Sequence, residues 1–364
     1  MERCKKRELY ALNRQNNFDL LRLFAALQVV YFHAMEHLHL GSHDSSLFNK
    51  IFAQFPGVPI FFVISGFLIT DSYLRNRQTV GQYLRNRALR IFRALIVCTC
   101  LTTLMLGLLG FLPADWRVGA WFVGQITVLP IYNPVFLRDF GVGDPNGALW
   151  TIPVEMQFYL FIPIVFALMY GVLGEKKRSH LLALTGALLV SFGVYTWFMA
   201  ADRTPLWMQV FYITIFPHLW LFLLGACAQV GWQWVQPFIQ GKVVYWLVFY
   251  AAICMAKAYT PIGDLGVLLA HVGLAGCVLS AAFSLPWLAH KLLGKTDISY
   301  GVYLYHMPVM NLFVELGKTG SWLSMVAVTG LSVILAGASW AFIEKPALSL
   351  KKRKTAFAPV SALR

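Results

Sequence analysis

Ten stretches of about 20 residues run nearly free of charge, at 18–38, 57–74, 92–112, 150–172, 181–200, 206–229, 243–260, 265–288, 298–316 and 321–343. This pattern constrains the fold more than any other feature of the chain. At about 1.5 Å of rise per residue, each stretch is long enough for a helix to cross a hydrocarbon layer about 30 Å thick. Backbone in lipid has no water to bond to, and a helix satisfies its N–H and C=O groups within one segment. The sequence therefore predicts an all-α, polytopic membrane helix bundle of about ten transmembrane helices. Crossings on that scale use about 200 residues and leave no room for a large separate soluble domain. The charged fraction of 13% agrees, since a water-soluble domain carries roughly 25%. A secreted soluble enzyme and a disordered chain are both set aside.

The formal net charge is +14, and its placement reads as topology. With ten crossings, the loops on the N-terminal side hold 23 of the 30 lysines and arginines. The opposite loops hold five, and Arg22 and Lys257 fall inside spans. Positive loops stay cytoplasmic, so both termini are expected in the cytoplasm and the chain in the cytoplasmic (inner) membrane. The basic balance then serves the lipid bilayer, and no nucleic-acid partner is expected. The apolar stretch 119–137 is interrupted by Pro130 and Pro134. Counting it as a crossing would put Lys351 to Lys354 outside, so it reads as a re-entrant or interfacial segment. Residues 1–13 read as an N-terminal cytoplasmic tail, 14–350 as the membrane domain and 351–364 as a basic cytoplasmic tail. No cleavable signal peptide is visible. Five of the six cysteines lie inside spans, which suggests neither a disulfide framework nor a thiolate metal site.

Ionisable groups at membrane depth are costly and mark functional positions. Arg22 and His33 in the first span are 11 residues apart, three turns plus about 20°, which puts both on one helix face about 16 Å apart. Asp19 shares that face; it is either a surface partner of Arg22 or a substrate contact. His33, Glu36, His37, His39 and His43 form a run in which His33 and His37 have a workable ligand spacing. No second ligand pair accompanies them, and no metal is expected. Arg87, Arg90 and Arg93 recur every third residue into the third span, with no acidic residue from Arg75 to Arg93. Such a strip of forked donors suits phosphate oxygens, and it equally suits anionic lipid. Glu155, near Gln157 and Tyr159, is a carboxylate able to hold an imidazole in one tautomer. Tyr305 and His306 are candidate substrate contacts in a Tyr-rich block, where interfacial anchoring is the plainer alternative. Ser65-Gly66 reads as a close helix contact, with no base assigned to the serine.

Together these blocks resemble acyltransferase family 3, the bacterial integral-membrane O-acyltransferases. The carriers are Asn17 to His33 with its Arg22 and His33, Phe61 to Thr70, Arg90-x-x-Arg93, Leu149-Trp150 to Tyr159, Tyr300 to Pro308 and Phe342 to Pro346. The similarity runs from about Arg14 to Lys352. It implies ten helices with cytoplasmic ends, and transfer of an acyl group, commonly acetyl, from cytoplasmic acyl-CoA to a hydroxyl of a carbohydrate or lipid-linked sugar. Arg22, His33, Arg90 and Arg93 match the family's functional positions. Gln28 and the histidine run depart from its pattern, and the appended soluble domain of many relatives is expected to be absent. On this reading His33 is general base or acyl carrier, Glu155 its supporting carboxylate, and Arg87, Arg90 and Arg93 the seat of the donor's phosphates. The alternative is a proton-coupled secondary transporter of a small solute or sugar, with His33, Glu155 and Lys257 as its relay.

Overall fold

The computed structural model describes residues 16–41, 46–75, 79–127, 129–294 and 296–346. The expected tails 1–13 and 351–364, and His43, lie outside them. The described residues are helical and contain no strand. In chain order the helices begin with α1 (Phe18–His37), α2 (Leu47–Phe52), α3 (Gly57–Arg75), α4 (Val80–Leu108) and α5 (Trp116–Gln125). Next come α6 (Thr151–Leu173), α7 (Lys177–Ala200), α8 (Leu206–Tyr212), α9 (Leu219–Val230) and α10 (Trp232–Ile239). The chain continues through α11 (Val243–Tyr259), α12 (Gly263–Phe283), α13 (Leu288–Leu293), α14 (Ser299–Glu315) and α15 (Trp322–Ser339).

Among the described residues, seven helices are long and apolar enough to cross a membrane. The number is eight if α10 and α11, bent by 87°, make one span. Of the other three apolar windows, one is broken and two form helices of 17 residues. Window 206–229 breaks between α8 and α9 around Pro217, which has no N–H to donate. The freed backbone is taken up by Gln157, whose amide donates to the Ile213 carbonyl at 3.0 Å and accepts from Ile215 N at 2.9 Å. Window 243–260 yields α11, 17 residues long. Window 298–316 yields α14, also 17 residues, with His306 and Asn311 buried in it. The stretch 119–137 begins inside the ten-residue α5, which is about 15 Å long and half a hydrocarbon thickness.

The chain divides into two compact units. Among the described residues, one unit takes 16–29, 46–85 and 150–294, and the other takes 30–41, 86–149 and 296–346. In the first unit α3 and α9 meet backbone to backbone. A Cβ at Gly66 would stand 2.0 Å from the Phe222 carbonyl oxygen, and one at Gly225 would stand 2.1 Å from that of Val63. Small residues at a crossing allow this approach in lipid, where helices associate by packing. Gln28 has a structural role here: its side chain accepts from Gly57 N at 2.8 Å and so caps α3.

In the second unit, Ala34, Met35 and Leu38 from the end of α1 pack with Val309 and Met310 of α14 and Val328 of α15. Pro308 interrupts the α14 hydrogen-bond ladder, which leaves the Leu304 carbonyl without its helical donor. Cys98 Sγ at 3.4 Å and Asn146 Nδ2 at 3.1 Å supply one. Farther along α14, the Asn311 amide donates to the carbonyls of Asp144 and Pro145 and accepts from Val142 N at 2.8 Å. Glycine is required at Gly141, with φ +57 and a Cβ position 2.2 Å from Asn311 Oδ1. The loop before α6 is thus stapled to α14.

Candidate active site

His33 lies half-buried in the last turns of α1, and the structure gives it an unforeseen partner. Its Nδ1 is 2.9 Å from Nε2 of His306 on α14, and the two rings stack with centroids 5.1 Å apart. His306 Nδ1 is in turn 2.7 Å from the Tyr303 carbonyl oxygen. Tyr303 donates its own hydroxyl to the Ala148 carbonyl at 3.0 Å, which fixes the turn that carries that carbonyl.

The donor and acceptor roles along this chain follow from its far end. A carbonyl oxygen only accepts, so His306 Nδ1 carries the proton. In a neutral ring Nε2 then holds a lone pair, and it accepts from His33 Nδ1–H. The proton on His33 is therefore on Nδ1 and the lone pair on Nε2, where no hydrogen bond from a described residue occupies it. An imidazole oriented through one nitrogen and open at the other is the arrangement that general-base chemistry requires.

His306 is 0% exposed and Tyr305 3%. Both were expected to touch substrate; the structure buries both, with the two ring nitrogens of His306 on His33 and the Tyr303 carbonyl. Glu155 was expected to support the imidazole, whereas the group beside His33 Nδ1 is His306. Glu155 belongs to the first unit, where its Oε1 accepts from Tyr159 Oη at 2.6 Å and from Ser65 Oγ at 3.3 Å. Ser65 thus has a carboxylate neighbour that its sequence context did not disclose. Arg22, also in the first unit, is 8% exposed, with Asp19 at 3.6 Å.

The arginine strip sits in the second unit on α4. Arg90 Nη2 donates to Asp297 Oδ2 at 3.1 Å, and the other oxygen of Asp297 accepts from Ser299 at 2.6 Å. Arg87 and Arg93 are half-buried on the same helix. Tyr300 donates to the Ile91 carbonyl at 3.1 Å, tying the start of α14 to this stretch. The strip lacks acidic neighbours in sequence, yet the fold brings Asp297 to it across 207 positions. Asp144 stands in the stapled loop, where burial raises its carboxyl above the usual range and the Asn146 N–H partly offsets the rise. Among the described residues no group of three or more His, Cys, Asp or Glu is placed to hold a metal ion.

Residues 15–341 match the acyltransferase domain of acyltransferase family 3. The chain belongs to this family. Nodulation protein 10 of Rhizobium leguminosarum bv. viciae is 36% identical over 361 residues, covering 94% of this chain and 95% of that protein. The O-acetyl transferase of Shigella phage Sf6 is 26% identical, covering 94% and 99%. Peptidoglycan O-acetyltransferase OatA of Listeria monocytogenes is 24% identical, with 94% of this chain matching 57% of that longer protein. No solved structure matches the chain. Family membership makes this acyltransferase an enzyme of acyl transfer and decides against the transporter reading. Its long apolar helices make it a multi-pass membrane protein.

Proposed function

We propose that this acyltransferase moves an acyl group, acetyl in the simplest case, from acyl-CoA to a hydroxyl of a carbohydrate or lipid-linked sugar, with His33 as general base. The observation that carries the reading is the chain from the Tyr303 carbonyl through His306 to His33, which orients the His33 ring and leaves its Nε2 with no hydrogen bond from a described residue. His33 Nε2 takes the proton of the acceptor hydroxyl as its oxygen attacks the thioester carbonyl. The C–S bond then breaks, and the proton held on His33 passes to the departing thiolate, giving the free thiol. Arg87, Arg90 and Arg93 bind the donor's phosphates by forked hydrogen bonds. The Arg90–Asp297 pair keeps that guanidinium extended before the donor arrives. The printed names of two relatives, an O-acetyl transferase and a peptidoglycan O-acetyltransferase, support acetyl as the group and a glycan as the acceptor. The cytoplasmic membrane is the expected location, with the donor on the side richer in lysine and arginine.

The test is purified protein in lipid nanodiscs with radiolabelled acetyl-CoA and a panel of glycans. Label should appear on a glycan as an alkali-labile ester, and the His33→Ala variant, still inserted and folded, should transfer none. Wild-type rates in His33→Ala would remove His33 from the chemistry.

A further inference from the structure

The junction of α10 and α11 holds none of the residues assigned above to the transfer chemistry. The eight-residue α10 meets α11 at 87°, and the turn passes through Gly241 at φ +71. Two side chains hold the last carbonyls of α10. Trp246 Nε1 donates to Phe238 O at 2.8 Å, and Ser280 Oγ donates to Ile239 O. The Trp246 ring lies so close over α12 that a Cβ at Gly276 would stand 2.0 Å from it. Ile239 is buried in the core of this unit, with Trp232 and Val235 packed against it. Phe238 on the other side of α10 is 69% exposed and Tyr245 on α11 is 71% exposed.

The outer side of this elbow is a groove of about 420 Å³. Its walls are Phe238, Tyr245, Trp246, Phe249 and Val272, and Lys242 is the one charged residue that lines it. The Lys242 ammonium stands 5.3 Å from the centre of the Tyr245 ring. At the far end of α10, Arg178 lies over Trp234 at 6.0 Å. Two cations therefore flank a short helix that packs Trp232, Val235 and Ile239 inward and leaves Phe238 outward. Carbon walls with one ammonium among them match a molecule with an acyl chain and a net negative charge. A polar nucleotide or sugar phosphate would find nothing to pair with on those walls. A zwitterionic lipid brings its own cation and leaves less charge for Lys242 to meet.

We infer that the elbow between α10 and α11 binds one anionic phospholipid, with its phosphate on Lys242 and an acyl chain along Tyr245, Phe249 and Val272. The site shares no residue with the histidine pair and does not depend on the reaction proposed above. The experiment is native mass spectrometry of the full chain released from vesicles of equal phosphatidylglycerol and phosphatidylcholine with matched acyl chains. The wild type should retain one phosphatidylglycerol in preference to phosphatidylcholine. Lys242→Gln should reduce that preference about five-fold, as the loss of one cation near the surface would. Lys177→Gln, at an exposed lysine outside the groove, should leave it unchanged. Val272→Phe, which fills the groove, should lower retention of both lipids while the unfolding temperature stays near wild type. Equal retention of the two lipids by the wild type, or an unchanged preference in Lys242→Gln, would overturn the inference. Displacement of the lipid by soluble glycerol phosphate at matched concentration would overturn it too, because the groove would then contribute nothing.

Discussion

Replacing His306 by phenylalanine keeps an aromatic ring in the core and removes the Nε2 lone pair together with the Nδ1–H that donates to the Tyr303 carbonyl. In the wild type that lone pair accepts from His33 Nδ1 at 2.9 Å, on a side chain that is 0% exposed. Without it, the Nδ1–H of His33 faces carbon, and a buried donor left unmade costs about 1–3 kcal/mol. The tautomer that keeps Nε2 basic loses that preference, and so does the imidazolium formed as the base takes its proton. At about 1.36 kcal/mol per factor of ten, the penalty corresponds to a loss of roughly 5- to 160-fold in kcat. The KM for the acyl donor should stay near wild type, since the arginine strip is untouched. His306→Gln should recover part of the rate, because its amide oxygen can accept from Nδ1. The assay is steady-state acyl transfer in nanodiscs, with unfolding temperature as the control for folding. A His306→Phe enzyme that folds normally and keeps kcat within about two-fold of wild type would refute the orienting role.

Two further outcomes test the surrounding fold. Gly66→Ala places a methyl where the Phe222 carbonyl oxygen stands 2.0 Å away. Overpacking of this kind costs about 1–3 kcal/mol and should appear as a lower unfolding temperature, whereas Gly81→Ala, in open space, should not lower it. Asp144 has its carboxyl raised by burial, so the folded state binds its proton more tightly than the unfolded state. The stabilisation is complete at acid pH, below about 4, and is lost as pH rises through the elevated folded value. Asp144→Asn, which keeps an acceptor for Asn146 N, should therefore unfold at a higher temperature than wild type at pH 7, with the gap closing at acid pH.

Much of the architecture is written in local pattern. Seven of the ten apolar windows became long helices because length and hydropathy suffice to specify a span. The failure of 206–229 turned on Pro217 and on Gln157, a side chain about 60 residues away that accepts the cost of the break. Hydropathy averages over such a break, although the proline itself was visible. Gln28 stood out as an unusual residue, and its reason proved to be the Gly57 cap, which no neighbouring residue announces. His33 was marked by being polar at membrane depth, and the arginines by recurring every third residue with no acidic residue among them. Their partners were not: His306 lies 273 positions from His33 and Asp297 lies 207 from Arg90. A single chain carries no signal for pairings at that range, and in each case the sequence offered a nearer candidate or none.

The most direct measurement is the protonation of the two nitrogens of His33, read by ¹⁵N NMR on selectively labelled protein in nanodiscs at neutral pH. The account predicts a protonated Nδ1 and an unprotonated Nε2 in the wild type, and a mixture of both tautomers in His306→Phe. A wild-type ring protonated on Nε2, with Nδ1 bare, would contradict it, since the nitrogen turned toward the acceptor would then have no lone pair with which to take a proton.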